Sequence, residues 1–415
     1  MRSVTTGVDV TSVQRIAALT ERRASFATRM FTAEEVEYCA GRPERLAARW
    51  AAKEAVRKAY GSCGRPLPTY PSISVRHRPG GAPEALVDGR AVPGLELSLS
   101  HDAGLAVAVA VLTSMDDLPR LFEVPTEIVL PSRPGNAHKG TFGTVLVLAG
   151  SPGFPGAAAL AARGALRGGA GRVKAAVPEA GGGDGLLAEV IRVPLPVEAG
   201  GYGAAAAAAA GEHLASADGV VCGPGLGIGA ATHALLLGVL QAMAGRGGRL
   251  VLDADGLNAV AASVELRAVV PPGCVLTPHP LEAARLAGVH VADIERDRVG
   301  WARKLATGLG ATVVLKGAET VVADSRGEVW VDGHATSVLA TGGTGDVLAG
   351  LIGALIAQGL ASAEAARAGV FLHGQAGTWL AETRGRAGIL ASEVADALVG
   401  VQEAVRRLRG DPAPG

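Results

Sequence analysis

A small α+β domain followed by a larger doubly wound α/β domain is the fold class the sequence predicts, on three observations. At 415 residues the chain exceeds one ordinary domain. Its N-terminal part reads strand, helices, then strands, whereas the remainder alternates short apolar runs with helical stretches. Between the two, Asp116 to about Lys139 carries Pro119, Pro125, Pro131, Pro134 and Gly135, which interrupt both patterns. The expected boundaries are 1–115 for the first domain, 116–138 for a linker, 139–408 for the second domain and 409–415 for a tail; Glu127–Leu130 reads as connection or as an opening strand.

In the first domain Gly7-Val8-Asp9 lies in an apolar, strand-like opening, followed by a helix at Thr11–Thr20. Thr32-Ala33-Glu34-Glu35 is a capping-box pattern that opens a second helix, stopping near Gly41. Pro43 opens a third, which runs to Tyr60 and ends at Gly61. Strands follow at Ile73–Arg76, Glu96–Ser100 and Leu105–Leu112. In the second domain the strands are Thr144–Ala149, Arg172–Val177, Gly219–Cys222, Arg249–Asp253, Cys274–Thr277 and Thr312–Lys316. Helices are expected at Ala157–Leu166, Thr232–Ala244, Asp297–Leu309 and Val347–Gln358. Gly181–Gly183 reads as a loop and Ala204–Ala210 as a helix surface. In doubly wound sheets ligands sit beyond the carboxyl ends of the strands, so the loops after the strands carry the chemistry.

Apolar residues make up 48% of the chain but aromatics only 3%, so the cores must be built from Ala, Val and Leu in tightly packed helices on a buried sheet. Lys plus Arg equals Asp plus Glu at 39 each, so neither nucleic acid nor membrane is an expected partner, and an acidic partner must meet a local patch. Cys39, Cys63, Cys222 and Cys274 are scattered without a Cys-x-x-Cys pair, which argues against a disulfide framework and a structural zinc. With no secretory pattern at the N-terminus, a reducing cytoplasm is the expected location. The longest apolar stretches, Leu105–Leu112 and Val347–Ala357, fall short of the roughly 18 residues of a membrane span.

The most informative stretch is Ala340-Thr341-Gly342-Gly343-Thr344-Gly345-Asp346, at the mouth of an apolar helix. Glycines let backbone N–H groups converge on one anion, and the helix adds the positive end of its dipole. Asp346 at the same turn is placed to take a proton from an attacking hydroxyl, the division of labour phosphoryl transfer needs. An ordinary Asp cap on a helix is the alternative for a bare Gly-Asp pair.

In the first domain Glu54 and Lys58 lie at i,i+4, which puts carboxylate and ammonium on one helix face, as in many solvated surface pairs. Asp9 changes their meaning: two carboxylates brought together repel unless they share a hard cation such as Mg²⁺, with Lys58 neutralising a phosphate. His101, in Ser98-Leu99-Ser100-His101-Asp102, sits at a strand edge, as a ligand contact or a capping histidine. In this order Gly7-Val8-Asp9, Arg49-Trp50-Ala51-Ala52-Lys53-Glu54-Ala55 and Leu99-Ser100-His101-Asp102 closely resemble the holo-acyl-carrier-protein synthase group of phosphopantetheinyl transferases, over roughly residues 1–113. The resemblance implies Mg²⁺ on Asp9 and Glu54, coenzyme A as donor with Lys58 at its diphosphate and His101 nearby, and an acyl-carrier-protein serine as acceptor. Glu54 and Lys58 are the catalytic candidates it implies, and a homo-oligomer, usually a trimer, is the expected assembly. Arg15, Arg22 and Arg23, on or just after the first helix, suit docking of an acidic carrier protein or form a plain solvated face. Trp50 stands where many relatives carry Phe.

In the second domain Gly150-Ser151-Pro152-Gly153-Phe154-Pro155-Gly156-Ala157-Ala158 follows the first strand, and its small residues permit a flat ligand to approach or simply turn the chain. Gly225-x-Gly227-x-x-Ala230 formally matches a dinucleotide fingerprint, but it lies in the middle of the unit rather than opening it, and no Walker-type Gly-Lys-Ser/Thr loop is present. His279 is held between two prolines in Thr277-Pro278-His279-Pro280-Leu281-Glu282, which favours positioning a ligand. Lys316-Gly317-Ala318-Glu319-Thr320 is a strand-end lysine with a turn, suited to a nucleotide phosphate or ribose.

This ordered set, over about residues 125–405, resembles the ADP-dependent NAD(P)H-hydrate dehydratases of the ribokinase-like fold. The resemblance implies repair of hydrated NADH or NADPH with ADP as co-substrate. Ala157, Gly227, His279 and Asp346 would contact the hydrated nicotinamide nucleotide, and Lys316, Gly317, Ala318, Glu319, Thr320 and Gly345 the adenine nucleotide. Such dehydratases are often fused to an epimerase; here the transferase-like unit stands in that place. Two other functions share these residues. One is an ATP-dependent kinase of a small alcohol, which Gly342–Asp346 serves equally; the other is a first domain reduced to docking or oligomerisation.

Overall fold

The computed structural model describes residues 3–23, 25–62, 66–78, 80–92, 94–114, 122–198, 201–246 and 248–410. The chain divides into two compact units, Met1–Pro119 and Arg120–Gly415. Cys63, Pro119, residues 116–121 of the expected linker and most of the expected tail lie outside the described residues. Residues 122–138 form no strand; Ile128 is buried in the core of the second unit, and Arg406 donates to the Pro131 carbonyl.

The first unit runs β1 (Ser3–Ser12), α1 (Val13–Arg22), α2 (Ser25–Met30), α3 (Ala33–Cys39), α4 (Pro43–Ser62), β2 (Ile73–His77), β3 (Pro83–Val87), β4 (Arg90–Ala91), β5 (Leu95–Asp102) and β6 (Leu105–Ser114). β1, β6 and β5 make one antiparallel sheet, and β2, β3 and β4 a second. The first helix starts at Val13 rather than at Thr11, because Thr11 and Ser12 complete the ladder with Ala106 and Leu105, and the Ser12 hydroxyl caps α1. The capping box at Thr32 and Glu35 forms as expected.

α4 lies on the β1–β6–β5 sheet through Ala51, Ala52, Ala55 and Ala59, all fully buried. Small side chains allow a close approach, and Gly7 completes it: a Cβ there would overlap the Ala55 carbonyl oxygen and the Ala59 nitrogen. Strand alternation then turns Asp9 and Thr11 to the same side as Gly7, while Val4, Val8 and Val10 point out exposed.

The second unit opens with β7 (Thr144–Leu148), α5 (Pro155–Arg167), β8 (Arg172–Pro178), β9 (Ile191–Leu195), β10 (Val197–Glu198), β11 (Gly201–Tyr202), α6 (Ala204–Ser216) and β12 (Gly219–Cys222). It continues with α7 (Ala230–Ala242), β13 (Leu250–Leu252), α8 (Asp255–Ala262), α9 (Val264–Ala268), β14 (Val275–Leu276), α10 (Pro280–Ala287), α11 (Val291–Arg296) and α12 (Arg298–Leu309). The last elements are β15 (Thr312–Leu315), β16 (Val321–Ala323), β17 (Val329–Val331), a 3₁₀ turn at Ser337–Ala340, α13 (Thr344–Ala357), α14 (Ser362–Arg384) and α15 (Ala391–Leu408). The sheet order is β17-β16-β15-β14-β13-β12-β7-β8-β9, with only the β15–β16 and β16–β17 pairs antiparallel.

Alternation splits the strand residues between two cores: Val145 and Val147 face one layer of helices, Leu146 and Leu148 the other. The expected helix surface at Ala204–Ala210 is instead half core, since Ala206 and Ala210 are fully buried; methyl side chains let α6 pack close on α7. α13 crosses α5 at backbone contact. A Cβ on Gly164 would overlap the Val347 carbonyl oxygen, and one on Gly350 would overlap that of Ala161. Replacing Gly7 by Ala should therefore part α4 from β1 and destabilise the first unit by roughly 1–3 kcal/mol, as core overpacking does; thermal unfolding that leaves its transition unchanged would show that the contact carries no weight.

Candidate functional site

The order of the sheet reverses between β7 and β12, and parallel strands place all the loops after β7, β12, β13, β14 and β15 at one edge. The first two loops touch: the Gly150 N–H donates to the Pro224 carbonyl at 2.7 Å, and a Cβ on Gly225 would come within 2.8 Å of the Ala157 methyl. Ala157 thus sits at the switch point. Gly227, two residues on, donates its N–H to Asp255 Oδ2 at 2.9 Å.

The centre of the edge is charged. Lys316 Nζ, at the end of β15, meets Asp253 Oδ1, at the end of β13, at 2.7 Å, and Asp253 is 1% exposed. Burial lowers the Lys316 pKa, but the carboxylates of Asp253, Glu282 and Asp346 outweigh it and hold the ammonium charged. Asp346 occupies the first turn of α13. Burial, with Asp253, Asp255 and Glu282 nearby, pushes its pKa up to about 7 although Lys316 pulls it down. A carboxylate with that pKa can accept a proton near neutrality.

His279 is fixed by more than its prolines. Its Nδ1 accepts from the N–H groups of Leu281 and Glu282 at 3.1 and 3.3 Å, and its own N–H donates to Glu282 Oε2 at 2.8 Å, a reciprocal cap on α10. Burial and the nearby Lys316 lower its pKa, so the ring is neutral and carries its proton on Nε2. Two non-glycine residues hold a left-handed φ at this edge, Ala254 at 48°, between Asp253 and Asp255, and Glu319 at 58°.

A cavity of about 400 Å³ adjoins the edge. Lys316, Gly317, Ala318, Thr320 and Gly345 line it; Glu319 is exposed and does not. Ala157, Gly227, His279 and Asp346 lie outside its lining, on the neighbouring loops. The sequence reading passed over Asp253, Asp255 and Glu282 as charges of the site; the Asp-Ala-Asp-Gly run at a strand end was the available signal. It also passed over Asp332, His334 and His373. The last is buried, its pKa driven down to about 4 by burial.

In the first unit the expected i,i+4 pair does not form. Lys58 Nζ binds Asp9 Oδ1 and the Val8 carbonyl, both at 2.9 Å, because the Gly7 contact brings β1 against that turn of α4. Thr11 donates to Asp9 Oδ2 at 2.7 Å, and Glu54 Oε1 accepts from the Tyr70 hydroxyl at 2.7 Å. Trp50 stacks on Tyr70 at 5.0 Å and so backs that bond. Lys53, fully buried, is structural: it pairs with Glu35 at 2.7 Å and donates to the carbonyls of Met30, Tyr70 and Ile73. His101 is exposed on β5, and Arg15, Arg22 and Arg23 are exposed as well. Among the described residues no group of three or more His, Cys, Asp or Glu is arranged to hold a metal, and no helix is long and apolar enough to cross a membrane. Cys39, Cys222 and Cys274 are free buried thiols.

The second unit has the ribokinase-like α/β fold, and the unit before it resembles the holo-acyl-carrier-protein synthase type. A family model described as NAD(P)H-hydrate dehydratase matches residues 145–399, and one for the 4'-phosphopantetheinyl transferase superfamily matches residues 5–110. The chain belongs to the NAD(P)H-hydrate dehydratase family. It is 41% identical over 276 residues to the ADP-dependent (S)-NAD(P)H-hydrate dehydratase of Neisseria meningitidis serogroup B, covering 65% of this chain and 88% of that protein. It is 42% identical over 277 residues to the bifunctional NAD(P)H-hydrate repair enzyme Nnr of Moorella thermoacetica, covering 65% of this chain and 51% of that one. The chain thus spans about half the length of the bifunctional relatives it matches. The crystal structure of the ADP/ATP-dependent NAD(P)H-hydrate dehydratase from Bacillus subtilis, co-crystallized with ATP/Mg²⁺, superposes with a TM-score of 0.56 at 28% identity, covering 71% of this chain and 99% of that one.

The raised Asp346 pKa has a consequence for stability. The folded state binds that proton more tightly than the unfolded chain, so the contribution is full below the unfolded value of 3.8 and is lost as pH rises through about 7. Asp346→Asn should melt higher than the parent chain at pH 8, with the difference closing as the pH falls towards the ordinary carboxylate range; a pH-independent difference would contradict the burial of that charge.

Proposed function

We propose that the second unit dehydrates hydrated NADH or NADPH with ADP as co-substrate, releasing AMP and phosphate, and that the first transfers 4'-phosphopantetheine from coenzyme A to a carrier-protein serine. The observation that carries the first part is Asp346, with a pKa of about 7, at the glycine-rich turn beside the Lys316–Asp253 pair. In this reading Asp346 takes the proton of the ring hydroxyl as its oxygen attacks the terminal phosphoryl group of ADP, and AMP leaves. The Gly345 amide, with Lys316, holds the charge that develops. The phosphorylated ring then loses phosphate and a neighbouring proton, which restores the double bond. Ala157, Gly227 and His279 hold the hydrated nucleotide; Lys316, Gly317, Ala318, Thr320 and Gly345 hold ADP, with Glu319 acting through the strained backbone of its turn.

Recovery of reduced-nicotinamide absorbance from enzymatically hydrated NADH, supplied with ADP and then with ATP, tests this. Turnover with ADP is expected, with kcat/KM falling on the acid side of about pH 7, and Asp346→Ala should lose at least 100-fold. Near wild-type turnover in that variant would exclude the base, and ATP-dependent phosphorylation of another alcohol would favour a kinase.

For the first unit, Asp9 and Glu54 supply two hard carboxylates on facing elements. That donor set fits Mg²⁺, which commonly takes one or two carboxylates and fills its other positions from phosphates and water. Bound there, the ion would neutralise the diphosphate of coenzyme A. Lys58, now on Asp9, is placed to turn to that diphosphate, and His101 lies on the strand beside β6. The exposed Val4, Val8 and Val10 on the outer sheet face support a homo-oligomer. Incubation with apo acyl carrier protein, coenzyme A and Mg²⁺ should add the mass of phosphopantetheine to the carrier, and Glu54→Gln should abolish the gain; carrier binding without any gain in the parent chain would leave a docking module.

A further inference from the structure

One wall of the 400 Å³ cavity is His334, which plays no part in the phosphate chemistry above. Both edges of its ring are occupied. Nδ1 lies 2.8 and 3.0 Å from the two carboxylate oxygens of Asp332, and Nε2 lies 3.0 Å from Gln375 Oε1. Asp332 and Gln375 are themselves buried. Nδ1 donates to the Asp332 carboxylate, which fixes the plane of the ring and favours its protonated form. Burial opposes that charge, but Asp332 and Gln375 outweigh it and hold the pKa above its ordinary value.

The ring is also backed from α14. A Cβ on Gly374 would fall 2.7 Å from His334 Cγ, so only glycine lets the imidazole lie on the helix, and Phe371 meets it edge-on at 5.4 Å. Clamped at both edges, it can offer a ligand only its plane. Leu339, Leu348 and Val370 add apolar lining, while Lys316 and Gly345 supply an ammonium and a helix-start amide. The cavity therefore combines an anion-binding part with a flat, fixed aromatic wall in apolar surroundings. A nucleoside diphosphate has the matching halves, charged phosphates and an electron-rich aromatic base.

We propose that His334 is a base-binding residue: the purine of the nucleotide stacks on its ring, which Asp332 and Gln375 hold in place. This rests on the assignment of the cavity to ADP. Stacking reads the face of the base and not its edge, so His334 contributes to purine nucleotides and nothing to a ligand without a base.

Isothermal titration of the full chain with ADP and with inorganic pyrophosphate, before and after substitution, separates the possibilities. His334→Ala should weaken ADP about 5- to 100-fold, the range for loss of one stacked base, and leave pyrophosphate unchanged. His334→Phe, which keeps an aromatic face, should recover most of the ADP affinity. In histidine-labelled parent chain ADP should move one ring-proton resonance upfield, a shift that pyrophosphate does not produce and that His334→Ala lacks. Unchanged ADP affinity in His334→Ala, or equal weakening of ADP and pyrophosphate, would overturn the proposal. If His334→Ala does not fold, the Phe variant and the resonance shift decide: loss of ADP binding in a folded His334→Phe chain, or no shift in the parent, sinks it. A parent chain that binds ADP with the shift but fails the hydrate assay would refute the dehydratase reading and leave the base site standing.

Discussion

Backbone contact between α13 and α5 is the constraint on which the larger site depends. Gly164 and Gly350 remove the two side chains that would hold these helices apart, so the carbonyl groups of Val347 and Ala161 sit where Cβ atoms would otherwise be. Helices normally pack 8–10 Å apart, and side chains set that distance. With them gone, the start of α13 is located by main chain, which has no rotamers to adjust. Asp346 immediately precedes Val347, and its position is therefore determined by the packing of the core.

Charge then does the rest at that edge. Three carboxylates, Asp253, Glu282 and Asp346, share one ammonium, Lys316, and Asp253 takes it at 2.7 Å. Asp346 is left with more repulsion than attraction, and that imbalance, on top of burial, keeps its proton to near neutrality. Asp346 keeps its proton because Asp253 has already claimed the cation. In the first unit the sequence motifs divide their labour differently. Gly7 and Lys53 serve packing, the one by vanishing from a helix contact and the other by tying Glu35 to three carbonyls in the interior. Asp9, Glu54 and Lys58 are left partly exposed by that arrangement.

Much of this architecture was legible in the residues. Strand runs of Val and Leu between glycines located β7, β8, β12 and β15 to within a residue or two, since strands buried on both faces read as near-continuous apolar runs. Pro43 and Gly61 marked the ends of α4, and the glycine-rich turn marked the start of α13. Short or edge elements such as β3, β4, β16 and β17 escaped, because two to five residues carry too little periodicity to rise above their turns.

By itself the sequence determined the two regions and their fold classes and offered candidates for the chemistry, because apolar spacing and glycine placement act locally along the chain. Partnership was decided only in three dimensions. Lys58 chose Asp9 over Glu54, Asp253 claimed Lys316 from a strand 63 residues away, and Gln375 on α14 met the far edge of His334. Each of those choices depends on distances between elements that no residue spacing encodes, and electrostatic energy falls with distance in space, not along the chain.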